Sequence, residues 1–270
     1  MEFNPARLRF YRETEKPEAA IDLALAALYI AQETHPELDP EEYISALDVM
    51  AEELKEKVDH EHYPLRIVQK INHYLYEELG FQGNEENFYD PRNSMLNEVL
   101  DRRKGIPITL ALVYLEVARR IDFSMVGVAL PGHFLIRPNR EDMQIYVDAF
   151  HKGEILFIED CQQRINAAYG QEVPIQPAFL EPVGARQFLA RMLTNLKIIY
   201  LHSREFEKSL GAVERILWMF PTAPVERRDR GLLCYRLERW QEARADLETY
   251  LNQFPSASDA KDIRQLLDDM

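Results

Sequence analysis

Three short segments bring together residue types suited to nucleophilic catalysis. A helix start at Gly105-Ile106-Pro107 is followed by a histidine in Pro131-Gly132-His133-Phe134 and an aspartate in Tyr146-Val147-Asp148. A site of this kind places a thiol at a helix N-terminus, where free amides and the helix dipole stabilise thiolate. An imidazole then takes the thiol proton, and a carboxylate fixes the tautomer and supports the imidazolium. His133 and Asp148 suit the last two roles. The helix start, however, carries no thiol. Thr109 is the hydroxyl nearest that start, and a threonine there reads as a capping group. Cys161 and Cys234 read as small buried hydrophobes.

The elements that must position these residues follow from periodicity. The first ~90 residues read as helices: one after Pro17 with Ile21, Leu25 and Leu28 on a face, and one begun by Asp39-Pro40-Glu41-Glu42 with Tyr43, Leu47, Met50 and Leu54 buried. A third spans Leu65 to Leu79 and ends at Gly80, and Gly83 to Arg92 is a loop. Ser94 is expected to cap a helix that closes at Arg102-Arg103-Lys104, and Pro107 to open the next, apolar on most sides and therefore central. The period then shifts to two, predicting strands at Ser124–Leu130, His133–Arg137 and Gln144–Phe150, with a short fourth near Ile155–Ile158. Alternation places His133 with Leu135 and Asp148 with Tyr146, but whether these share a face depends on register.

The C-terminal part repeats itself. Phe220-Pro221 recurs as Phe254-Pro255, Leu217 aligns with Leu251, and Phe206 falls where Trp240 stands one period on. A ~34-residue helical period ending in proline is the mark of tetratricopeptide repeats. Two copies fall short of the ~3 that an independent solenoid needs, so these helices must lean on other chain.

At this point the chain resembles the transglutaminase-like superfamily and, over nearly its whole length, the bacterial SirB family. The resemblance is carried by Asn97-Glu98-Val99-Leu100, Arg102-Arg103-Lys104-Gly105-Ile106-Pro107-Ile108, Pro131-Gly132-His133-Phe134-Leu135-Ile136-Arg137, Asp148-Ala149-Phe150 and Arg228-Asp229-Arg230-Gly231-Leu232. It implies a mainly helical α+β fold: a small antiparallel sheet packed on a central helix in a transglutaminase/papain-like core, with a helical-repeat extension. The domains are expected at 1–182 and 183–270. The triad carried over gives His133 and Asp148, while the cysteine position falls on Pro107, or on Ile108 one residue on. Neither is a nucleophile.

Composition narrows the function classes. The balance of 32 Lys+Arg against 46 Asp+Glu gives net charge −14, which repels phosphate backbones, so nucleic acid is not an expected partner. No apolar run approaches the ~20 residues that span a bilayer, the N-terminus lacks the regions of a signal peptide, and two isolated cysteines suit a reducing compartment. A cytoplasmic location is expected. No cofactor or metal motif is apparent, and Asp59-His60-Glu61-His62 reads as a solvated connector. The expectation is a non-catalytic interaction or regulatory protein, a pseudoenzyme, that meets a protein partner through its repeats around Phe206, Arg228 and Trp240. The alternative is a hydrolase or acyl-transferase that uses His133 and Asp148 with another nucleophile.

Overall fold

The computed structural model describes residues 4–140 and 143–270. The chain forms two compact units that divide after Leu189. The first opens with α1, Pro5–Glu15, capped by the Asn4 side chain, and a 3-10 turn at Glu18–Ala20 separates it from α2, Leu23–Gln32. The expected helix after Pro17 thus begins later, where the Asp22 carboxylate accepts from Leu25 N. The next helix, α3, spans Pro40–Val58, with the predicted Asp39 cap and with Leu47, Met50 and Leu54 buried. After it, α4, Pro64–Asn72, runs into a π-helical turn, His73–Glu78.

Two short parallel strands, β1 at Gln82–Gly83 and β2 at Lys104–Gly105, bracket the loop and α5, Leu96–Arg102. Ser94 does not cap α5. It closes a 3-10 turn, Pro91–Ser94, and its hydroxyl is buried without a partner, because Met95 takes the cap position in extended backbone. The helix ends on a left-handed Arg103, whose guanidinium lies over the Phe81 ring at 4.7 Å.

The central helix α6, Pro107–Arg120, starts at its proline as predicted and is buried on most sides. Beyond it a four-stranded antiparallel sheet runs β3 (Met125–Val128), β4 (Leu135–Pro138), β5 (Tyr146–Asp148), β6 (Glu154–Leu156) in sequence order. Val128, Leu135, Tyr146 and Leu156 pack with Cys161 and Ile165 of α7, Ile158–Tyr169, a helix that the alternating pattern before it does not announce. The fold is mainly helical α+β, with the sheet beside a central helix.

A last long helix, α8, spans Ala185–His202, and its residues from Ala190 onward belong to the second unit. There the 34-residue period is visible in the backbone. Next come α9, Phe206–Met219, α10, Pro224–Arg236, α11, Trp240–Gln253, and α12, Ala260–Asp268. Arg204 and Glu238, one period apart, are both left-handed, with φ of 62° and 59°. Phe220 and Phe254 end their helices with φ of −131° and −130°. Gly231 is required by packing, since a Cβ there would lie 2.8 Å from Leu247.

Candidate functional site

The N-terminus of α6 is sealed. Ile106 and Ile108 are buried, and Pro107 is half-buried with no group to offer. The Thr109 hydroxyl is committed: it accepts from Ile106 N at 3.1 Å and donates to Asn93 O at 2.7 Å. It acts as a cap and an inter-segment tie, which leaves the helix start without a nucleophile. Gly105 next to it cannot carry a side chain, because a Cβ would meet Thr109 Oγ1 at 2.8 Å.

His133, expected to open a strand, lies just before β4. Pro131 and Gly132 form a turn, with Gly132 at φ +75° and His133 N donating to Leu130 O, and β4 begins two residues later at Leu135. Pairing with β3 begins only at Leu135, so the alternation of β4 does not extend back to the histidine.

Asp148, at the end of β5, is almost wholly buried. In register it faces Glu154 of β6, and cross-strand partners share a sheet face. Among the described residues, the groups on its carboxylate include Arg164 of α7 at 2.6 Å, His151 Nδ1 at 2.8 Å, and the amides of Phe150 and His151. His151, three residues on, thus brings an imidazole to Asp148. Arg164 also reaches Glu154 at 2.6 Å, so one guanidinium spans both carboxylates. The buried Tyr76 hydroxyl, without a hydrogen-bond partner, feels this charge, and burial together with Asp148 drives its pKa far upward.

The turn that presents His151 is braced from behind. Lys152 and Gly153 are left-handed, with φ of 53° and 74°, and Asn72 Nδ2 donates to Gly153 O at 2.7 Å. Tyr114 of α6 donates to Asn72 Oδ1 at 3.0 Å, which links turn, α4 and central helix. His151 also lines a cleft of 480 Å³ whose walls include Gly83, Glu85, Glu86, Lys104, Phe150 and Lys152.

Asp148, His151 and Glu154 place one donor atom each within 4.8 Å of one another. Arg164 already serves both carboxylates, so an ion there would have to displace a guanidinium held by two short bonds. The Asp59–His62 segment is an exposed connector with a left-handed His60.

Neither thiol is poised for chemistry. Cys161 and Cys234 are buried and free, and burial pushes each up to about 11. In the second unit, Phe206 packs at the edge of the cluster of Leu210, Val213 and Cys234. Trp240 is 47% exposed and stands edge-on to Tyr235, while Arg228 is held by Asp229 and Asp259 at 2.7 and 2.8 Å.

Comparisons with known proteins match both regions of the chain. The transglutaminase-like superfamily profile matches residues 41–194. The chain belongs to the transglutaminase-like superfamily. A tetratricopeptide-repeat profile matches residues 196–268. A UPF0162 protein of Xylella fastidiosa (strain 9a5c) is 36% identical, covering 94% of this chain and 91% of that protein. One of Vibrio cholerae is 28% identical over 88% of each. The chain is thus a SirB-type member of the superfamily, with repeats following the transglutaminase-like region. F-box only protein 21 of Mus musculus is 37% identical, covering 48% of this chain and 21% of that protein. No solved structure matches. No helix among the described residues is long and apolar enough to cross a membrane.

Proposed function

We propose that this chain is a non-catalytic interaction or regulatory protein of the cytoplasm. In this reading the transglutaminase-like unit is a rigid frame and the repeats receive a protein partner near Phe206, Arg228 and Trp240. The observation that carries it is the α6 start: the helix opens on Pro107 and Ile108, neither of which is a nucleophile, and Thr109 is consumed by capping. Two buried thiols with raised pKa values offer no substitute. The exposed Trp240 supports the partner face, since aromatic anchors dominate protein interfaces. Crosslinking in cells followed by purification tests it. A stoichiometric protein partner that is lost in Trp240→Ala is expected, and its absence from the wild-type chain contradicts the reading.

The hydrolytic alternative has one observation in its favour, a carboxylate-held imidazole open to a cleft. Electrophilic probes of thiols and hydroxyls separate the two readings. Labelling that depends on His133 or His151 would favour chemistry.

A further inference from the structure

The cleft beside His151 carries an unusual set of charges. Glu85 and Glu86 come from the loop after β1, Lys104 from β2 and Lys152 from the turn after β5. Opposite charges that share a cleft normally close on one another. Lys104 is half-buried and Glu85, Glu86 and Lys152 are exposed, and among the described residues none of the four makes an ion pair or a side-chain hydrogen bond. Gly83 packs so closely on Phe150 that a Cβ would lie 2.8 Å from the Phe150 carbonyl, and Asn72 pins Gly153. Backbone contacts thus hold the two walls together, and the loop after β1, β2 and the braced turn bring cations and anions to one cleft.

His151 adds a polar ring at the same wall, held by Asp148 at 2.8 Å and by edge contact with Phe150 at 5.2 Å between centroids. At 480 Å³ the cleft is within the range of small-ligand pockets. We propose that it binds a small zwitterion, an α-amino acid or the end of a short peptide. Lys104 and Lys152 receive the carboxylate, Glu85 and Glu86 receive the ammonium, and His151 contacts the ligand. A ligand with both charges satisfies all four side chains, whereas one with a single charge leaves a like-charged pair facing it. The proposal goes beyond the interaction reading and does not rest on it, since it concerns the first unit alone.

The test uses the full chain and follows the His151 imidazole resonances by NMR during titration with glycylglycine. Two relatives serve as comparators: N-acetylglycylglycine, which lacks the amine, and glycylglycinamide, which lacks the carboxylate. A saturable shift is expected with glycylglycine, and each comparator should bind roughly two- to fivefold more weakly, as for one lost exposed charge contact. Glu85→Gln with Glu86→Gln should weaken glycylglycine similarly while strengthening N-acetylglycylglycine, which no longer faces a like-charged pair. Lys104→Met with Lys152→Met should weaken both carboxylate-bearing ligands. No saturable shift, or equal binding of all three ligands by the wild-type chain, would overturn the proposal without recourse to any variant.

Discussion

Asp148 is the residue on which the site turns, because it is buried and carries a charge that only neighbours can balance. Arg164 and His151 supply that balance. Replacing Asp148 by alanine takes one of Arg164's two carboxylates and the partner of His151 Nδ1, and urea denaturation should show a loss of about 1–3 kcal/mol. Thr109→Val removes both bonds that tie the α6 start to Asn93 and Ile106. It is expected to cost about 1–3 kcal/mol in the same assay. The thiols give a pH signature. Their folded values, about 11, lie above the unfolded ~8.5, so the neutral thiols stabilise the fold fully below about pH 8.5. That contribution is lost as pH rises toward 11. The thermal midpoint should fall across this window, and the fall should be shallower in a Cys161→Ala, Cys234→Ala chain.

At the scale of elements, the turn after β5 brings the His151 imidazole to Asp148. Gly153→Ala introduces a Cβ into the Asn72 amide at a left-handed position, whereas Gly170→Ala, equally left-handed at φ +66°, meets open space. The first substitution should cost well over the ~1 kcal/mol expected of the second, as read from denaturation midpoints. The contrast also shows what the sequence could and could not reveal. The starts of α3 and α6 were legible because Asp39-Pro40 and Pro107 are local signals. The 34-residue period was legible because its capping residues recur in the backbone. The Asp148–His151 pair was not: strand alternation assigns faces but says nothing of a chain that curls back within three residues. α1 and α7 were missed for a related reason. In α1 only Ala6 and Phe10 are buried hydrophobic side chains, and in α7 only Cys161 and Ile165, too few to show a period.

The whole molecule is a transglutaminase-like region followed by helical repeats, and its central helix opens on Pro107 and Ile108, neither of which is a nucleophile. Charge argues in the same direction as structure: at net −14 the chain is poorly suited to polyanions, and its repeats offer exposed aromatic surface instead. The most direct test is intact-mass analysis of the folded full-length chain after incubation with thiol- and hydroxyl-directed electrophiles and with glutamine-containing peptides at neutral pH. The account predicts an unmodified mass and no peptide turnover, with labelling of Cys161 and Cys234 appearing only after denaturation. Stoichiometric modification of the folded chain that disappears in His133→Ala or His151→Ala would contradict it.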